Sequence, residues 1–216
     1  MKQTIRKIVE LHDPGCWRAL RSAEKRAWSR PPTADQILYR PDSFMPRGEL
    51  PLKPAAVLVP LVDRSEGMTV LLTKRSSELK THSGQVSFPG GKCDEGDENA
   101  IATALREARE EIGLTDDKVE IIGALEDYET VTGFAVSPVV GFVRPDIVLQ
   151  PDPSEVEEAF EVPLDFILNE ANQQLQSREW QGQTRHFYVF PHPDHYIWGA
   201  TAAMLVRFSK LIREMS

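Results

Sequence analysis

Residues 87–114, SFPGGKCDEGDENAIATALREAREEIGL, run from a Gly-Gly turn into a segment dense in alanine and charge. Wound as a helix at about 100° per residue, the segment lines up Ile101, Ala104, Leu105, Ala108 and Ile112 on one stripe. Glu107, Glu110 and Glu111 then gather within roughly a 100° arc on the opposite side. Asp97 or Glu98 suits the positive start of such a helix, and Gly113 stands where helices commonly stop.

A solvated acidic face is the plain reading of a Glu-rich helix, and the energetics oppose it. Three like charges about 6 Å apart repel by roughly 2 kcal/mol in water and by about 8 kcal/mol at an effective dielectric of about 20. Arg106 and Arg109 offset only part of this, because helix-neighbour pairs contribute about 0.2–0.5 kcal/mol each. A dication offsets far more. Hard carboxylate oxygens suit Mg2+ or Mn2+, which keep several waters and share the remaining coordination with substrate phosphates. Gly90 and Gly91, lacking a β-carbon, let the backbone approach a ligand closely. Together these features predict a divalent-metal site facing a diphosphate.

Upstream, Ala55 to Val62 and Met68 to Thr73 are apolar, β-branched runs on either side of the polar stretch Asp63 to Gly67, and they predict a strand pair. Downstream, Val119 to Leu125 and Val136 to Val143 read as strands, the second as an edge or bulged strand because it carries Pro138. Pro151 to Glu158 reads as an acidic loop and Leu164 to Gln173 as a short helix. His186 to Phe190 reads as a strand and Trp198 to Ile212 as a closing helix. Strands interspersed with helices predict an α/β layered domain. Residues 1–28 read as two short helices broken at Asp13-Pro14-Gly15. Six prolines from Pro31 to Pro54 then predict a linker or an arm wrapped on the main domain.

With 216 residues, 41% of them hydrophobic, the chain is expected to bury one sizeable core as a single domain with an extension. A formal charge of −8 argues against a generic partner in nucleic acid or an anionic membrane, both of which reward a basic surface. Cys16 and Cys93 form neither a zinc spacing nor a disulfide framework. The first ten residues lack the apolar core of a secretory signal, and no apolar stretch approaches membrane-spanning length, so a cytoplasmic protein is expected.

The 87–114 segment resembles the Nudix hydrolase box, Gly-x5-Glu-x7-Arg-Glu-U-x-Glu-Glu-x-Gly-U with U apolar. Arg106, Glu107, Ala108, Glu110, Glu111, Gly113 and Leu114 match its second half. In the first half six residues, Lys92 to Asp97, separate Gly91 from Glu98 where the pattern has five. The resemblance implies a Nudix-type α/β/α sandwich with a central mixed β-sheet over residues 50–216, after an N-terminal helical arm and Pro-rich linker over residues 1–49. It implies Glu107, Glu110 and Glu111 as metal ligands, the Gly91 carbonyl as a further ligand, and Arg106 as the residue that orients the glutamates. The implied chemistry is attack of a metal-polarised water on one phosphorus of a diphosphate.

Leu71 to Gly91, LLTKRSSELKTHSGQVSFPGG, is similar to the motif of the coenzyme A diphosphatase branch of that family, Leu-Leu-Thr-x-Arg-Ser-x3-Arg-x3-Gly-x3-Phe-Pro-Gly-Gly. Lys80 stands where the pattern has Arg, keeping the charge and losing the planar fork. The branch's later Thr-Gly and Pro-Val-Val segments resemble Thr132-Gly133 and Pro138-Val139-Val140. This resemblance implies Arg75, Lys80, Gly90, Gly91 and Thr132 as substrate-facing residues. It implies cleavage of coenzyme A or an acyl derivative, a small-molecule diphosphate, to 3′,5′-ADP and a 4′-phosphopantetheine. The alternatives are a diphosphatase of ADP-ribose, a dinucleotide or another nucleoside diphosphate derivative, and a non-catalytic Nudix nucleotide-binding module. Candidates for the general base are Glu155, Glu157 and Glu158, with Glu155 foremost. Phe187, Tyr188, Phe190 and Tyr196 read as core aromatics ahead of an adenine stack. His186, His192 and His195 show no metal-ligand spacing, and Cys93 beside an acidic loop is a poor thiolate. The N-terminal arm has two readings, a cover over the active site or the contact of a homodimer.

Overall fold

The computed structural model describes residues 1–11, 52–180 and 183–214. The second N-terminal helix and most of the proline-rich stretch expected from the sequence lie outside the described residues.

Strands β1 (Lys53–Arg64) and β2 (Gly67–Arg75) form the expected antiparallel hairpin, but their pairing runs only from Arg64↔Gly67 to Leu61↔Val70. Beyond that point the hairpin splays. β3 (Val86–Ser87) and β4 (Gly90–Lys92) fill the opening, β3 against β2 at Thr73 and Lys74, and β4 against β1 at Ala55 to Val57. The Gly-Gly turn is therefore wedged into the sheet by backbone hydrogen bonds. β5 (Val119–Ala124) and β6 (Tyr128–Glu129) pair antiparallel with one side of β7 (Phe134–Val143), whose other side runs parallel to β1. β8 (Val156–Pro163) closes the sheet along β2.

Among the described residues four α-helices cover this mixed sheet: α1 (Lys2–Leu11), α2 (Ala100–Ile112), α3 (Leu164–Leu168) and α4 (Gly199–Glu214). On one face α2 lays Ala100, Ala104, Ala108 and Ile112 onto Ala56, Leu58, Val62 and Leu71. On the other, Ile5, Ile8 and Val9 of α1 and Leu205, Phe208 and Ile212 of α4 pack over Val59, Leu61, Leu72 and Val140. A small antiparallel sheet of β9 (Gln174–Trp180), β10 (Gln183–Pro191) and β11 (Tyr196–Trp198) adds Phe190 and Ile197 to this larger core. The result is an α/β/α sandwich, as expected. Among the described residues no helix is long and apolar enough to cross a membrane.

Two expectations need correction. β7 is interior rather than an edge, paired on both sides although it carries Pro138, and the irregularity in its ladder falls on β5 between Ile121 and Gly123. The Pro138 carbonyl accepts from Leu125 N–H at 2.8 Å, so the nitrogen on that same flank faces the gap where β5 has ended and β6 has not begun. The stretch from Val156 is strand β8, where the sequence suggests an acidic loop running to Glu158. Its charges are met from β1 and β2: Arg64 pairs with Glu161 at 2.5 Å and Lys74 with Glu157 at 2.6 Å.

Candidate active site

Helix α2 starts at Asn99, whose side chain accepts from Ile101 and Ala102 N–H at 3.0 Å each, so neither Asp97 nor Glu98 is the cap. It ends as expected at Gly113 in the left-handed conformation, φ 69°. The buried stripe is rotated from the one read in the sequence. Ile101 and Leu105 are only half-buried, and Glu111 takes a place on the sheet-facing side at 2% exposure. The three glutamates thus do not share a solvated face: Glu111 is in the core, Glu107 half-buried and Glu110 exposed.

The Gly-Gly strand receives two of them. Gly90 N–H donates to Glu111 Oε2 at 3.1 Å, and a β-carbon on Gly90 would lie 2.5 Å from the Ala56 carbonyl oxygen, with φ at 153° also favouring glycine. A β-carbon on Gly91 would lie 2.5 Å from Glu107 Oε1. Gly90 is therefore required by the close approach of β4 to β1, and Gly91 leaves room for the Glu107 carboxylate. Burial pushes the Glu111 carboxyl up to about 7, assisted by the charges of Glu107 and Glu155 and opposed by Gly90 N–H and Arg75. Burial likewise raises Glu107, against the pull of Arg106.

Arg106 organises the rest. Its Nε and Nη2 grip the two oxygens of Asp97 at 3.0 Å each, and Nη2 also reaches the Lys92 carbonyl at 3.0 Å. Nη1 bridges Glu107 at 3.0 Å and Glu110 at 2.9 Å. This hold keeps Asp97 down at about 2 and raises Arg106 itself. Glu98 is exposed. Asp97, with five residues between it and Gly91, is the acid that meets the arginine, and the chain's extra residue falls between Asp97 and Arg106. Sequence reasoning missed this role; allowing Asp at the acidic position of the box and counting from Gly91 would have found it.

Glu155, at the turn into β8, is exposed, and its charge acts on both Glu107 and Glu111. Its carbonyl accepts from Ser76 N–H at 2.8 Å, which ties this turn to the end of β2. Arg75, on that strand end, lies 3.8 Å from Glu111 Oε1 through Nη1, and its buried Nε has no hydrogen-bond partner among the described residues. Glu157 is taken up by Lys74, and Glu158 faces His195 at 3.7 Å. His195 stacks on Phe160 at 3.5 Å and on His192 at 5.5 Å. Lys80 is exposed in the loop between β2 and β3, and Thr132 is exposed in the turn before β7, sharing a 2.9 Å bond with Thr130. Neither is bonded to the glutamates. The Cys93 thiol is pushed up to about 11, chiefly by burial, as its acidic surroundings suggest.

Among the described residues no three His, Cys, Asp or Glu side chains converge as around a metal ion, and the exposed Glu110 is bonded to Arg106. The donor set nevertheless fits Mg2+ or Mn2+. Glu111 and Glu107 are hard oxygen donors pressed against one strand, with carboxyls raised by burial, and the Gly91 backbone adjoins Glu107.

An α/β/α sandwich that docks a braced glutamate helix on a Gly-Gly strand is the arrangement of a hydrolase-type domain. Residues 52–184 match the NUDIX domain, and the chain belongs to the Nudix family. Nudix hydrolases are pyrophosphohydrolases. The chain is 40% identical over 181 residues to Nudix hydrolase 15, mitochondrial, of Arabidopsis thaliana, a match covering 81% of this chain and 61% of that protein. It is 41% identical over 176 residues to the Uncharacterized Nudix hydrolase NudL of Enterobacter sp. (strain 638), covering 80% of this chain and 91% of the relative. Among solved structures, RenU, a Nudix hydrolase from M. smegmatis, superposes with a TM-score of 0.53 at 17% identity, covering 78% of this chain and 90% of that one.

Proposed function

We propose that this chain is a metal-dependent diphosphatase of nucleoside diphosphate derivatives, with coenzyme A or an acyl-coenzyme A as substrate. The products are 3′,5′-ADP and the (acyl-)4′-phosphopantetheine. The observation that carries the reaction class is the pair Glu107 and Glu111 pressed on Gly90-Gly91, with Arg106 spanning both arms of the box. What supports the substrate is the run Leu71 to Gly91, which ends in this strand and holds Arg75, with its free Nε, beside Glu111.

Glu107, Glu110, Glu111 and the Gly91 carbonyl would hold Mg2+ or Mn2+, which would supply Lewis acidity toward the water and the bridging oxygen. Arg106 sets the glutamates in register, and its release of Glu110 opens the ligand set. Glu155, exposed beside two raised carboxyls, accepts the proton of the attacking water. In this reading Arg75 and Lys80 face the phosphates, and Thr132, in the turn before β7, is a further substrate-facing residue.

The test is hydrolysis of coenzyme A by purified protein with Mg2+ or Mn2+, the products followed by mass. Formation of 3′,5′-ADP and 4′-phosphopantetheine, lost with chelator, supports the reading. Cleavage of ADP-ribose without cleavage of coenzyme A rejects the substrate and favours the second reading, to which Lys80 lends weight as a point charge where a fork is expected.

A further inference from the structure

The small sheet carries charge that the cleavage reaction leaves unused. Arg178 of β9 and Arg185 of β10 stand directly opposite each other, so both side chains project from one face. Like charges in a cross-strand pair repel. Neither arginine has an ion-pair partner among the described residues. Of the buried side-chain nitrogens and oxygens described, only Arg75 Nε and Arg185 Nε lack a hydrogen-bond partner. One of these two already lies beside Glu111.

The same face of the small sheet holds flat apolar surface. Phe187, two residues beyond Arg185, packs edge-on to Trp198 with ring centroids 5.7 Å apart. Tyr196, two residues before Trp198, places its hydroxyl 3.2 Å from Gln176 Oε1, and Gln176 is the strand partner of Phe187. Phe190 and Ile197 turn the other way, into the core. Trp198 is 38% exposed and Tyr196 54%.

Topology ties the small sheet to the strands that carry Arg75. β11 ends at Trp198, and Thr201 Oγ1 then donates to the Val86 carbonyl of β3 at 3.0 Å. Val86 pairs with Lys74, and the neighbouring Gln85 carbonyl accepts from Arg75 N–H at 3.0 Å. Past Trp198 the ribbon of β9 and β10 runs on without a third described strand and carries Phe187 and the arginine pair.

We propose that this face receives the nucleotide half of the substrate, Arg178 and Arg185 gripping a phosphate monoester remote from the cleaved anhydride while Phe187 and Trp198 carry the base. The inference rests on the coenzyme A reading and deepens it. A 3′-phosphate is a compact dianion that two opposed guanidinium forks hold with parallel charged bonds, and it gives Arg185 Nε its missing acceptor. ADP-ribose has no group to meet them.

The test compares coenzyme A with dephospho-coenzyme A, which lacks only the 3′-phosphate, in wild type, Arg178→Ala, Arg185→Ala and the two lysine variants. Thermal melts establish that each variant is folded. In wild type kcat/KM for coenzyme A exceeds that for the dephospho form by roughly tenfold or more. The ratio falls toward one in the alanine variants, through KM rather than kcat, and the lysine variants fall between. A wild type that cleaves coenzyme A while the ratio is unchanged in the variants overturns the assignment and leaves the substrate reading intact. A wild type that cleaves only ADP-ribose overturns both. Calorimetric titration with 3′,5′-ADP and with 5′-AMP decides the matter without turnover: a preference for 3′,5′-ADP that the alanine variants lose supports the assignment, and equal binding by wild type overturns it.

Discussion

Glu111 occupies a position where an apolar residue would be more stable. Its carboxyl is raised to about 7 because the fold buries it, so between the ordinary carboxylate range and pH 7 the folded chain binds a proton that the unfolded chain has released. Metal-free stability therefore falls as pH rises through that window, and the full cost, on the order of 3 kcal/mol, stands above pH 7. Glu111→Gln keeps an oxygen for Gly90 N–H and removes the charge. It is expected to abolish turnover while raising the urea midpoint of the chelated protein at pH 8, with little gain at pH 5. A variant of full activity sinks the metal-site assignment. Arg106 contrasts with Glu111, since its side chain reaches Asp97, Lys92, Glu107 and Glu110 together. That loop and helix meet at this arginine was legible as a motif; which acid it takes was missed because the box was read with glutamate there, whereas Asp97 stands at the box spacing from Gly91.

At the scale of elements, β4 and α2 divide the roles of the two glycines. Gly90→Ala drives a methyl into the Ala56 backbone at a left-handed position, whereas Gly91→Ala meets only the end of the flexible Glu107 side chain. Gly90→Ala is expected to lower thermal stability markedly. Gly91→Ala is expected to stay folded and lose activity by displacing Glu107, a split read from melting curves beside kcat. Helix α2 was legible because its alanines and its terminal glycine speak for themselves. Its rotation was not, since Ile101 and Leu105 look more buriable than Glu111 until Gly90 supplies a donor. Strand β8 hid for a related reason: Glu157, Glu158 and Glu161 resemble a loop until Lys74 and Arg64 are beside them.

Across the whole molecule, the sheet separates a large core from a small one, and the glutamates belong to the small. α1 is part of the large core, with Ile8 at 2% exposure and Val9 so close to Gly123 that a β-carbon there would lie 2.6 Å from Val9 Cγ1. Ile8→Ala is expected to cost about 2–5 kcal/mol in denaturant unfolding while kcat at permissive temperature is retained. Equal stability would mean that the helix does not dock in solution. On the opposite face Ala100, Ala104 and Ala108 are fully buried between helix and sheet, and their small size sets how near α2 can sit. That spacing works like a gauge block under an instrument. Thickening it with Ala104→Val, at a residue that touches no substrate, lifts the glutamates from the strand. A shift on the order of 1 Å is enough to lose about a hundredfold in rate, which kcat and the stretched Gly90–Glu111 contact in a crystal would register together.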